Sequence, residues 1–215
     1  WAFGGSWGDP ETFKAEGHLN RPQTVAAMEF FRGLIVNHAP PGGSNFSYAQ
    51  CLEAFKNGSV AMSMNYFAFS PEIVRSMGDK AGFFVVPAHQ GRRAISLGGQ
   101  GMSISSKISD GRKENARKFI AWFLQRKIQE KWVTKEAGFT ATQSILDSDS
   151  FRNAQPYNAA FAESLNHVRD FWNVPSYNEL LAASQQALAG CLDGKPIQST
   201  LDALAKQHEQ ILRQR

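Results

Sequence analysis

Cysteine is scarce: Cys51 and Cys191 are the only two in 215 residues, far apart and without a CxxC pair. That spacing excludes zinc-ribbon and thioredoxin-type readings, and leaves open either one disulfide in an oxidising compartment or two free thiols. Long apolar runs are missing as well. The longest, such as Gly82 to Pro87, are strand-sized and far short of the ~18 apolar residues that cross a bilayer, so no membrane insertion is expected. Charge of one sign is in small excess, with a net charge of +4. The densest basic stretch, Lys107 to Lys135, is interrupted by Asp110, Glu114 and Glu130. Its aromatics Phe119, Trp122, Phe123 and Trp132 read as an apolar helix face rather than base-stacking groups, so no nucleic-acid partner is expected.

Catalytic signatures are equally thin. The five histidines, His18, His38, His89, His167 and His208, show no HExxH or HxH spacing, and neither a GxSxG elbow nor a GxxxxGK[ST] loop occurs. Gly98-Gly99-Gln100-Gly101 is followed by a strand-like alternation, whereas a phosphate loop needs a helix N-terminus at that place. No metal or cofactor is therefore expected. Paired acids remain an alternative, because two carboxylates need only meet in space.

What is present is an ordinary globular composition, 42% hydrophobic and 20% charged, at a length that suits one large domain or two unequal lobes. The chain starts at Trp1 with neither Met nor a leader, which reads as a processed, excised or partial polypeptide. Asn20, Pro22 and Gln23 predict a helix start, with Val25, Met28, Phe31, Leu34 and Ile35 as its apolar stripe. Ser47 and Gln50 predict a capping box, Leu52 and Phe55 a stripe, and Gly58 a left-handed stop. Val60, Met62 and Met64 then alternate as a strand does, Ser70-Pro71-Glu72 opens a short helix ending at Gly78, and Gly82 to Val86 reads as a buried strand.

Met102-Ser103-Ile104 predicts a further strand, and a strong helix follows from Asp110 or Lys113 with a second segment carrying Ile128 and Trp132. The tail is helical: Pro156 to Leu165, Ser176 to Ala189 with a capping box from Ser176 and Glu179, and Ile197 to Leu212 with Ile197, Leu201, Leu204, His208 and Ile211 at heptad-like spacing. Strands alternating with helices and then a helical tail argue an α/β fold.

Aromatic residues cluster as Trp1, Phe3 and Trp7, then Tyr66, Phe67 and Phe69, then Phe171, Trp172 and Tyr177. Several fall after expected strands or in loops, where pockets are lined. A flat ring beside directional amides suits a ligand with both C–H patches and hydroxyls.

Six motifs in collinear order carry a resemblance. They are Gly4-Gly5 with Leu19-Asn20-Arg21-Pro22 and Met28 to Phe31, Tyr48 to Met64, Phe83 to Pro87, Gly98 to Ser105, Ala116 to Leu124, and Val174 to Tyr177 with the final helices. In this order the chain resembles the C-terminal half of the family 1 extracellular solute-binding proteins of ABC importers, the sugar-binding type.

The resemblance implies a two-lobed periplasmic-binding-protein-like (type II) α/β fold, mainly its C-terminal lobe with a helical tail. Residues 1–94 would belong to the second lobe, 95–143 to a crossover in the first, and 144–215 to a helical return, with the first lobe's opening segment absent. It further implies a periplasmic, or membrane-anchored extracellular, monomeric protein that delivers a sugar, polyol or similar polar solute to ABC permease subunits. Tyr66, Phe67, Gly98, Gly99 and Gln100 stand where relatives meet the ligand, and Arg169, Trp172 and Tyr177 lie in a segment that faces the cleft. Gln100 replaces a frequent tryptophan, exchanging a stacking plane for an amide, which favours a small polar ligand. The alternative class is a carbohydrate-processing enzyme with an unmarked acid pair.

Overall fold

The computed structural model describes residues 1–9, 11–99, 101–135 and 138–214. In chain order the helices are α1 (Pro22–His38), α2 (Tyr48–Lys56), α3 (Ser70–Met77), α4 (Asp110–Phe123), α5 (Arg126–Thr134), α6 (Gln143–Leu146), α7 (Asp149–Arg152), α8 (Asn158–Ser164), α9 (Tyr177–Leu192) and α10 (Ile197–Arg213). Two short strands, β1 (Ile95–Ser96) and β2 (Val168–Arg169), pair in parallel with Ile95 opposite Val168 and Ser96 opposite Arg169. The chain divides into two compact units. The first holds 1–64, 86–97 and 167–215, and the second holds 65–85 and 98–166.

The first unit is built on α1, α9 and α10. The stripe of α10 expected from the sequence is inward: Ile197, Leu201, Leu204 and His208 are buried and Ile211 half-buried, against Met28 of α1 and Leu180, Ala183 and Cys191 of α9. Each fully buried leucine contributes about 1.5–3 kcal/mol of transfer free energy. The loop before α1 is pinned to α10 by polar bonds. Glu209 Oε1 accepts from the N–H groups of Ala15 and Glu16 at 3.1 and 3.0 Å, and Asn20 Nδ2 donates to Asp202 Oδ1 at 2.7 Å. This explains one departure from expectation. Asn20 is spent on Asp202 and on the Gly17 N–H, so the N-cap of α1 falls to Arg21, with Pro22 at its first position.

Helix α2 forms as the sequence predicts, with the Ser47 N–H donating to Gln50 Oε1 at 2.8 Å and Gly58 at φ 77° just past its end. The capping box at Ser176 does not form. Ser176 has ψ 16°, outside the extended conformation an N-cap needs to aim its oxygen at the helix, and its side chain makes no cap bond. Both cysteines are free thiols, Cys191 fully buried in the α9–α10 core.

The second unit has its own core of Val133, Ile145, Leu146, Phe151 and Ala162, with Phe139, Phe161 and Leu165 packed against it. Thr140 Oγ1 donates to Gln129 Oε1 at 2.8 Å, and Gln129 Nε2 donates to the Phe123 carbonyl at 2.9 Å, so the buried amide of α5 is satisfied at both ends. Helix α3 ends at Gly78, φ 58°, as expected.

Three expected strands are absent among the described residues. Val60–Met64, Gly82–Val86 and Met102–Ile104 are irregular, because the sheet formed by β1 and β2 offers none of them a neighbour and an alternating pattern without a ladder fixes no strand. Met62 is 86% and Phe84 84% exposed, the reverse of the burial their patterns predict. The apolar stripe of α4 differs in the same way. Phe119 and Leu124 lie exposed, and Phe123 packs edge-on against Trp132 of α5 at 5.3 Å.

Candidate functional site

Tyr66 precedes a single 3-10 turn, Phe67–Phe69, that leads into α3. Its own backbone is extended, φ −72° and ψ 137°, and its N–H donates to Asn65 Oδ1 at 2.9 Å. Phe67 turns into the second unit's core and meets Phe161 edge-on at 5.5 Å and Phe139 at 6.4 Å. Tyr66 does not follow it and stays 58% exposed. One neighbour of the pair is an anchor, the other a presented ring.

The glycine crossing meets that ring. A Cβ at Gly98 would come within 3.0 Å of Tyr66 Cε1 and 3.2 Å of Cδ1, so the absence of a side chain is what lets the phenol lie against the backbone there. Gly99 is exposed, with nothing within 4 Å of the position its Cβ would take. Tyr66, Gly98 and Gly99 thus combine a flat apolar face, a phenolic hydroxyl and open main chain, with no charged side chain among them. Gln100, the remaining residue of the expected set, lies outside the described residues.

In the first unit the three expected residues have different settings. Arg169 is exposed at the end of β2, its carbonyl accepting from the Leu97 N–H at 2.8 Å and its guanidinium donating to the Val168 carbonyl at 2.8 Å. Tyr177 opens α9 and stands edge-on to Phe171 at 5.5 Å, exposed to solvent. Trp172 is only 6% exposed, and its indole N–H donates to His208 Nδ1 at 3.1 Å. Its N–H and most of its plane are taken up inside the core.

The sequence places His208 in the Ile197-Leu201-Leu204 stripe of α10 but assigns it no partner. Its Nδ1 accepts from Trp172, so Nε2 carries the proton toward Ser184 Oγ at 3.0 Å. Burial lowers its pKa to about 4, which keeps the ring neutral. Also unforeseen is the tight turn in which His89 and Arg92 exchange backbone hydrogen bonds at 2.9 Å and the His89 ring stacks on Phe3 at 3.7 Å.

The carboxyls of Asp9 and Glu209 are both held below their ordinary pKa. The Thr12 and Glu11 N–H groups hold Asp9 ionised, and the Glu16 N–H chiefly does so for Glu209. A general acid of glycoside chemistry needs the opposite displacement. No three His, Cys, Asp or Glu side chains gather to hold a metal among the described residues, and no helix there is long and apolar enough to cross a membrane.

Residues 1–130 match the family Bacterial extracellular solute-binding protein, and the chain belongs to that family. It is a family of binding proteins rather than enzymes. No curated protein matches in sequence. Among solved structures, the maltose-bound MalE3 of T. maritima is similar with a TM-score of 0.81 and 22% identity, over 97% of this chain and 55% of that one. A solute-binding protein of an ABC transporter from Agrobacterium radiobacter, in complex with ribitol, has a TM-score of 0.79 and 24% identity over 98% of this chain and 54% of its own. UgpB from Mycobacterium tuberculosis, in complex with glycerophosphocholine, has a TM-score of 0.76 and 23% identity over 100% and 54%. The chain therefore shares the α/β fold of two-lobed periplasmic binding proteins while spanning about 55% of the length of the first of these relatives.

Proposed function

We propose that the chain is part of the solute-binding component of an ABC importer and holds a small, uncharged, polyhydroxylated solute, a sugar or polyol, which it passes unchanged to permease subunits outside the cytoplasm. The observation that carries this reading is the exposed Tyr66 ring laid over Gly98 with Gly99 open beside it. Such a ring covers the C–H face of a sugar or polyol, while its hydroxyl and the adjoining main chain meet hydroxyl groups. Neutrality of these residues favours an uncharged ligand, and the ribitol and maltose bound by the structural relatives are of that kind.

Within this reading Gln100 adds an amide that both donates and accepts, and Phe67 anchors the turn after Tyr66 through Phe161 and Phe139. Arg169 and Tyr177 are proposed as exposed residues of the first unit that can contact solute. Trp172 is proposed to act at one remove, by holding the Phe171 to Tyr177 segment through His208. The lobe division is proposed to follow the two compact units, 1–64 with 86–97 and 167–215 against 65–85 with 98–166, because the expected division at 95–143 would cut the core of Val133, Ile145, Phe151 and Ala162 in two. The working protein is proposed to be a monomer that closes on its solute, binding being converted into a shape through differential affinity for the closed state.

The test is a thermal-shift screen against ribitol, maltose, glycerophosphocholine and a monosaccharide panel. A ligand present at 100 times its Kd raises stability by about 2.7 kcal/mol. A concentration-dependent rise in Tm with the ligand recovered intact supports the proposal. Turnover of a glycan without such a rise would favour the acid-pair enzyme instead.

A further inference from the structure

A second hollow lies in the second unit among α5, α6, α7 and the start of α8, and none of the residues proposed above lines it. Its volume is about 290 Å³, just under the ~300–1,000 Å³ range of drug-sized pockets, which suits a single small ring or polyol. Val133, Ile145 and Phe151 are buried and form an apolar floor. Asn158, also buried, fixes that floor by donating from Nδ2 to the Phe151 carbonyl at 2.7 Å.

The polar rim has one property in common: its hydroxyl protons are already committed. Thr134 Oγ1 donates to the Glu130 carbonyl at 2.8 Å, Ser148 Oγ to the Ile145 carbonyl at 2.6 Å, and Ser150 Oγ to Ser148 Oγ at 3.1 Å. Each hydroxyl has a single proton, so what Thr134 and Ser150 present to the hollow is lone pairs, and the Glu130 carboxylate presents only lone pairs too. Ser148 Oγ also accepts from the Phe151 N–H and has no capacity left. A rim whose hydroxyls and carboxylate chiefly accept, above an apolar floor, suits a ligand that brings donors and an apolar face together.

Cationic donors are disfavoured by the surroundings. Helix α5 carries Arg126, Lys127 and Lys131 against Glu130, and the Glu130 carboxylate is already held by Arg126 Nε at 2.7 Å. We infer that this hollow is a second site, separate from Tyr66, for a small uncharged polyhydroxylated molecule. Its hydroxyl groups donate to Thr134, Ser150 and Glu130, and its C–H face rests on Phe151 and Val133.

The test uses the full chain, labelled with ¹⁵N and titrated in turn with ribitol, maltose, n-butylammonium and acetate, reading the amides of Ser150, Phe151 and Ala154. Ribitol is expected to shift these amides to saturation, and maltose, a two-ring sugar, to shift them less. Ala154→Phe, at an exposed rim position, is expected to weaken that response at least tenfold without moving Tm, and Tyr66→Ala to leave it intact. Unmoved amides with ribitol would overturn the inference. So would a stronger response to butylammonium or acetate, wild-type binding by Ala154→Phe, or loss of the response in Tyr66→Ala.

Discussion

The indole N–H of Trp172 donates to Nδ1 of His208 at 3.1 Å, joining the segment before α9 to the buried face of α10. This bond requires the ring to be neutral with its proton on Nε2, because an imidazolium has no lone pair to accept with. The same core that holds the loop therefore sets a pH limit on the fold.

Stability is expected to fall on acidification in a defined window. His208 titrates near 6.5 when unfolded and at about 4 when folded, so between these values the unfolded chain binds the extra proton and stability rises with pH. Its contribution is complete above about pH 6.5 and lost progressively down to about pH 4. Glu209, whose ordinary value is 4.5 and which is lowered chiefly by the Glu16 N–H, adds its slope from about pH 4.5 downward, overlapping only the acid end of that window. Thermal melts between pH 7.5 and 5 should show a drop on the order of 5 °C, given about 2–4 °C per kcal/mol for chains of this size. His208→Gln should melt lower at pH 7.5 but with a flatter profile. An unchanged slope in that variant would contradict the assignment.

Leu204 lies at the centre of the α9–α10 core and is 1% exposed. Leu204→Ala should cost about 2–5 kcal/mol in denaturant unfolding, the range for a leucine truncated in a packed core. A cost below about 1 kcal/mol would show that the helices repack around the void.

Phe84 provides the contrasting case. Its pattern predicts a buried strand, whereas the ring is exposed. Phe84→Ser should change stability by no more than about 0.5 kcal/mol, while Phe151→Ala in the second unit's core should cost about 3–5 kcal/mol. Equal costs would mean that Phe84 is covered in solution.

Gly98 tests the Tyr66 contact directly. Gly98→Val places carbon where the phenol now lies, at 3.0 Å from Cε1 for the Cβ alone. The ring is the free end of an exposed side chain and can swing away, so Tm should hardly move while affinity for the solute falls about tenfold, equivalent to about 1.4 kcal/mol. A large loss of Tm with unchanged affinity would make the glycine structural.

Helices were the most legible part of the fold because their signals are local. The 3.6-residue stripe of α10, the Ser47–Gln50 box and the glycine stops at Gly58 and Gly78 all operate within a turn or two of chain. Strands were not legible in the same way, since Val60–Met64 and Phe83–Val86 carry the pattern but a strand exists only where a partner supplies the ladder. Caps failed where the local chain conformation differed from the pattern, as where Asn20 Oδ1 accepts from the Gly17 N–H and where Ser176 has ψ 16°. At the candidate site the sequence identified Tyr66, Phe67 and the glycine crossing, but could not tell which ring turns inward. It also could not foresee that Trp172 would spend its N–H on His208, a residue of the far end of the chain.

The central claim is most directly tested by isothermal titration of the chain and of Tyr66→Ala with whichever of ribitol, maltose or glycerophosphocholine stabilises it, followed by mass analysis of the ligand. The account predicts saturable binding, a ligand of unaltered mass, and affinity at least tenfold weaker in Tyr66→Ala with the fold preserved. Binding by Tyr66→Ala equal to that of the unaltered chain, or a ligand recovered as cleaved product, would contradict it.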